Sequence, residues 1–150
     1  MADTYTQLYF HIVFAVQKHA RMIDKSWKDD LYKYITGIIS NKSQKLMIIN
    51  GMPDHVHILI STKPDCNLSD LVRDIKSNST KWINENRLIK SKFAWQNGFG
   101  AFTVSQSQLK KVIRYIENQK QHHRSKSFKE EYVDFLKAYQ IDYNEQFIFE

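Results

Sequence analysis

The chain has 150 residues, 42% of them hydrophobic and 25% charged, a balance that suits a folded domain with its own core and excludes disordered, collagen-like and low-complexity architectures. No apolar run approaches the roughly 20 residues of a membrane span, no basic-then-apolar leader opens the chain, and a lone cysteine, Cys66, rules out an internal disulfide, so a cytoplasmic protein is expected. Lys and Arg (22) exceed Asp and Glu (16) to give a net charge of +6, which suits a polyanionic partner.

Tyr9 to Val16 is rich in aromatic and β-branched residues and predicts a first strand. After Asp24, the spacing of Trp27, Leu31, Tyr34, Ile35 and Ile38 predicts a helix to about Ser40. Lys45 to Ile49 reads as a short strand, Asn50-Gly51 as a turn able to adopt positive φ, and His55 to Ser61 as the next strand. Leu68, Leu71, Val72, Ile75, Ser79, Trp82 and Ile83 mark a second long helix ending near Asn86. Phe93–Trp95 and Ala101–Val104 read as two extended segments around a tight turn. Ser105 with Gln108, and Ser127 with Glu130, match capping boxes ahead of two further helices, the first striped by Leu109, Val112, Ile113 and Ile116, the second by Phe128, Tyr132, Phe135, Leu136 and Tyr139. Phe147-Ile148-Phe149 suits a terminal strand or a docking tail. The order β-α-β-β-α-β predicts a ferredoxin-like (RRM-like) α+β sandwich as a single domain over residues 1–150, its antiparallel sheet carrying helices on one face and leaving the other for a ligand, with an added C-terminal helix.

His55-Val56-His57 is the sharpest local feature. Residues two apart in a strand share a face, so the two imidazoles form half a site for a divalent metal. One helical turn separates Tyr115 from Gln119, at the border of the apolar stripe. Tyr115 suits either packing or nucleophilic attack, the latter if a metal polarises the target and a cationic surround favours phenolate; the Gln119 carbonyl suits a third ligand. Between Gln106 and Lys129 lie seven cations (Lys110, Lys111, Arg114, Lys120, Arg124, Lys126, Lys129) against one anion, Glu117. His122 and His123 read as phosphate contacts or helix-end cations before ligands, and His11 and His19 as structural. Cys66 has no adjacent activating base. No Gly-rich phosphate loop, Gly-x-Ser-x-Gly elbow or CxxC pair is present, so no nucleotide cofactor is expected.

Together these segments resemble the single-tyrosine HUH transposases of small bacterial insertion sequences. The resemblance runs through Tyr-Thr-Gln-Leu-Tyr-Phe-His-Ile-Val-Phe, Asp-His-Val-His-Ile-Leu, Leu-Val-Arg-Asp-Ile-Lys-Ser-Asn-Ser-Thr-Lys-Trp-Ile, Phe-Ala-Trp-Gln-Asn-Gly-Phe-Gly and Tyr-Ile-Glu-Asn-Gln-Lys-Gln-His-His. It implies metal binding by His55, His57 and Gln119, Mg²⁺ or Mn²⁺ as the ion, and Tyr115 as the nucleophile of a 5′-phosphotyrosine intermediate on single-stranded DNA with hairpin ends. It also implies a homodimer, in which the tyrosine helix of one subunit can complete the site of the other. Lys110, Lys111, Arg114, Lys120, His122 and Arg124 are expected to hold the DNA backbone. Three alternatives stay open: a non-catalytic RRM-like nucleic-acid-binding module, a metal-dependent phosphodiesterase that uses water, and a domesticated relative acting on chromosomal repeat hairpins.

Overall fold

Four antiparallel strands form the sheet in the order β2-β3-β1-β4: β1 (Leu8–Ala15), β2 (Lys45–Met52), β3 (His55–Thr62) and β4 (Gly100–Val104). The computed structural model describes residues 3–148. The central pair alternates strictly between faces. Ile12 and Phe14 of β1, with Val56, Ile58 and Ile60 of β3, point to one side, where they pack on α1 (Lys25–Asn41) and α2 (Leu68–Glu85) through Leu31, Ile35, Ile39, Leu71, Ile75 and Ile83. Side-chain oxygens of Asp24 and Asn67 accept from the amides of Ser26 and Asp70, capping these two helices. The expected ferredoxin-like arrangement is therefore formed.

The opposite face is not left open as expected. Helices α3 (Leu109–Glu117), α4 (Gln119–His122) and α5 (Phe128–Ala138) cover it, burying Val13, Ala15, Leu59 and Phe102. With helices on both faces, β3 is buried over almost its whole length, and the two histidines at its start are fully enclosed. No helix among the described residues is long and apolar enough to cross a membrane.

Two local expectations, the Asn50-Gly51 turn and the Ser105 cap, differ from what is formed. Asn50 and Gly51 lie inside β2, and the hairpin turns at Pro53-Asp54. Gly51 is required there by close approach, since a Cβ would stand 2.2 Å from the His55 carbonyl oxygen. Asn50 Nδ2 instead donates to the carbonyls of Ile116 (2.9 Å) and Glu117 (3.2 Å), fastening the end of α3 to the sheet. Ser105 caps nothing with its side chain: its hydroxyl pairs with Ser107, and a 3₁₀ turn (Gln106–Gln108) leads into α3. The Ser127–Glu130 capping box does form. Trp95 bridges to Val16, not to β4. At the tail, Glu145–Phe147 is a 3₁₀ turn and Ile148 docks by accepting a hydrogen bond from Gln96 Nε2 (3.1 Å); Phe149 lies outside the described residues.

Candidate metal centre

The alternation that sends Val56 and Ile58 into the main core sends His55 and His57 toward α4 and α5. Each imidazole is held from behind at Nδ1. Asp54 Oδ1 lies 2.7 Å from His55 Nδ1, and His11 Nε2 lies 2.8 Å from His57 Nδ1. Those bonds leave both Nε2 atoms facing inward. The ring of Phe128 stacks on His55 at 4.3 Å and fixes its plane.

Helix α5 brings a carboxylate to the same point. Glu131, only 3% exposed, places Oε1 at 2.9 Å from His57 Nε2, 3.2 Å from His123 Nε2 and 3.6 Å from His55 Nε2. From α4, the buried Gln119 sets Oε1 at 3.2 Å from His55 Nε2. Ligand atoms of His55, His57, His123 and Glu131 all lie within 4.8 Å of one another. Three imidazole nitrogens and a carboxylate oxygen, with an amide oxygen alongside, are a donor set able to hold a divalent ion.

The other oxygen of Glu131, Oε2, accepts a hydrogen bond from the Tyr115 hydroxyl. Tyr115 is half-buried, stacked on His122 at 4.4 Å and edge-on to His57 at 5.9 Å. Burial and the neighbouring carboxylate push its phenol well above the usual tyrosine range. Expectation and structure part here, because the group beside the hydroxyl is an acid, while Lys110, Lys111, Arg114, Lys120 and Arg124 are exposed on the outer surface. The phenol is thus held protonated. Burial alone would raise the Glu131 carboxyl, but hydrogen bonds from His123, His57 and Tyr115 overcome it and hold the group far below the carboxylate range.

His55, His57, Tyr115 and Gln119 come together within one chain. His123, expected as a phosphate contact or helix-end cation, stands in the cluster, and His122, expected in the same role, is half-buried with its ring stacked on Tyr115. Glu131 was missed. Its signal was present, since an acid occupies a position on the apolar stripe of Phe128, Tyr132 and Phe135. Asp54 and His11, which buttress the histidine pair, carried no such signal.

The comparisons give the class first: these are transposases. The family model described as "Transposase IS200 like" matches residues 4–119, and the chain belongs to that family. A curated relative, the ISDra2 transposase TnpA of Deinococcus radiodurans, is 25% identical over 118 residues, covering 75% of this chain and 84% of that protein. Among solved structures, a candidate transposase from Deinococcus radiodurans superposes with a TM-score of 0.65 at 22% identity, over 79% of this chain and 95% of that one. A REP-associated tyrosine transposase bound to a REP hairpin gives 0.63 at 15% identity, over 82% and 73%.

Acid sensitivity follows from the buried imidazoles. Burial lowers His11, with His57 adding to it, and burial lowers His57 despite its bond to Glu131. A histidine lowered in the fold takes up its proton more readily when unfolded. Stability is therefore intact above the usual imidazole range and falls as pH drops through it. Burial lowers His19 as well, so His123, raised because its bond to Glu131 outweighs burial, opposes this as one group against three. The thermal midpoint is expected to fall between about pH 7 and pH 5, and falling again below the carboxylate range as Glu131 protonates. A midpoint rising on acidification would contradict these environments; calorimetry across that range checks it.

Proposed function

We propose that this chain cuts and rejoins single-stranded DNA through a 5′-phosphotyrosine on Tyr115, at a divalent site made by His55, His57 and Gln119 with His123 and Glu131 beside them. The observation that carries this reading is a shared carboxylate. Glu131 meets the histidines through Oε1 and the Tyr115 hydroxyl through Oε2, so nucleophile and metal-binding groups are held in one rigid unit. In the reaction, the Tyr115 Oη–P bond forms as the P–O3′ bond breaks, leaving a free 3′-hydroxyl; attack by a different 3′-hydroxyl then releases Tyr115 and rejoins a strand. Bound there, a divalent ion supplies Lewis-acid withdrawal of charge from the phosphate oxygens. Glu131 orients Oη by accepting its hydrogen bond. Because that phenol is held well above its usual range, proton loss accompanies attack on phosphorus and does not precede it. Three imidazoles are softer donors than Mg²⁺ prefers, which favours Mn²⁺ of the two ions.

The hairpin carried by the REP-associated relative supports hairpin-bearing DNA as the substrate here. Lys110, Lys111, Arg114, Lys120 and Arg124 lie on exposed surface, suited to the DNA backbone. Tyr115 meets the histidines of its own chain, and we take the site to work in cis within the homodimer that the family resemblance implies. Incubation with Mn²⁺ and a hairpin-bearing oligonucleotide should yield a denaturant-stable protein–DNA species. Cleavage without that species would favour a water-using phosphodiesterase, and binding without cleavage a passive RRM-like module. A domesticated relative acting on chromosomal hairpins shares the chemistry and differs only in its substrate.

Asp54 and His11 act on the metal ligands by fixing which imidazole nitrogen faces inward. Asp54→Ala is expected to weaken Mn²⁺ binding about 10- to 100-fold. Asp54→Asn, whose amide oxygen still accepts from Nδ1–H, should lose less. Paramagnetic resonance of free Mn²⁺ during a titration reads both; equal losses would remove the orienting role.

A further inference from the structure

Next to Tyr115, β1, β4, α3 and α5 line a cleft of about 460 Å³, with His11 in its wall and none of His55, His57, His123 or Glu131 among its lining residues. Its walls include two aromatic rings already fixed in place. Phe135 stacks on Phe102 at 5.2 Å and meets Tyr115 edge-on at 5.8 Å. Tyr139 packs on Phe102 at 4.7 Å and donates its hydroxyl to the Thr103 carbonyl at 3.1 Å, yet its side is 42% exposed. Gln108 and Ser105 supply polar atoms at the rim, and Lys111 is a cation there, with no acidic residue among the groups that line the cleft.

We propose that this cleft takes one unpaired nucleobase of the DNA strand, that of a nucleotide beside the phosphate Tyr115 attacks, with the base against Tyr139 and Phe135 and the adjoining phosphate on Lys111. The proposal rests on Tyr115 being the nucleophile of the preceding section. Three properties select this occupant. Tyr115 is itself one of the lining residues, so a strand with its phosphate at Oη runs beside the cleft. The exposed aromatic plane is pre-set, and a base presents a flat face to it whatever its identity. The charge at the rim is positive, which complements a phosphate. A base inside a duplex is covered on both faces by its neighbours, so the cleft reads single strands and the flanks of hairpins, not the paired stem.

The test compares fluorescein-labelled oligo(dA) with an abasic strand of equal length, by anisotropy in EDTA so that no cleavage intervenes. Wild-type protein should bind oligo(dA) more tightly than the abasic strand. Tyr139→Ala should weaken oligo(dA) binding about 5- to 100-fold and leave abasic binding unchanged. Tyr139→Phe, which keeps the ring and loses only the bond to Thr103, should bind oligo(dA) almost as the wild type does. If the alanine variant unfolds on heating well below the wild type, Tyr139→Leu makes the same measurement with bulk retained and the aromatic plane removed. Equal losses on both strands, or none on either, overturn the base site while the Tyr115 adduct stands. No binding of either strand by wild-type protein, together with no adduct, overturns the strand-transfer reading as well.

Discussion

Tyr115→Phe is expected to abolish the denaturant-stable protein–DNA species and to leave single-strand affinity nearly unchanged. Only the hydroxyl is removed, the atom proposed to attack phosphorus and the one that donates to Glu131. The ring keeps its stack on His122 and its edge contacts with His57 and Phe135. Glu131 loses one donor and retains those of His57 and His123, so the cost in stability should be about 1.5–3 kcal/mol, that of a hydrogen bond to a charged group. The fold survives such a loss, and the missing adduct is then a chemical result. An adduct that persists in Tyr115→Phe would move the nucleophile elsewhere.

His57→Ala carries the second large effect. His57 is fully buried between His11 at Nδ1 and Glu131 at Nε2, so truncation leaves two partners unpaired in the interior. Breaking a buried pair of this kind costs about 3–5 kcal/mol, and the thermal midpoint should drop accordingly. Mn²⁺ affinity should fall steeply and adduct yield by about 10³-fold or more, the scale of several kcal/mol of lost charge stabilisation. Should the alanine variant fail to fold, His57→Gln keeps a polar group in the same space and gives the same reading. Mixing His57→Ala with Tyr115→Phe separates the two arrangements of the tyrosine helix. A site completed within each chain leaves the mixture inactive, whereas exchanged helices in mixed dimers would restore adduct formation.

Much of this site was legible because period-two alternation is a strong constraint. A strand that opens His-Val-His and continues Ile-Leu-Ile must send both imidazoles to the face opposite Val56 and Ile58, and it does. The one-turn spacing of Tyr115 and Gln119 also survived, although the helix breaks at Asn118 between them. What sequence alone could not carry was the third dimension of α5. Nothing local to Glu131 says that α5 folds back over the sheet, so its carboxylate appeared as one more charge near a basic run. The same gap explains the electrostatics: counting cations from Gln106 to Lys129 suggested a phenolate-favouring setting, but a nearby count is blind to which side chains turn outward. Asn50-Gly51 misled for a related reason. A dipeptide suited to positive φ is also suited to close backbone approach, and here the approach of the His55 carbonyl decides its use.

The net charge of +6 counts histidines as neutral and comes from lysines and arginines, among them exposed ones that suit a DNA backbone, while the enclosed cluster of imidazoles around Glu131 adds no positive charge to it. The central claim is that Tyr115 joins the two by accepting the DNA phosphate. Digestion of the Mn²⁺-dependent adduct followed by tandem mass spectrometry tests it most directly. The account predicts a nucleotide mass on the peptide containing Tyr115, localised to that residue; the same mass on Tyr139, on a histidine or on Cys66, with Tyr115 unmodified, would contradict it.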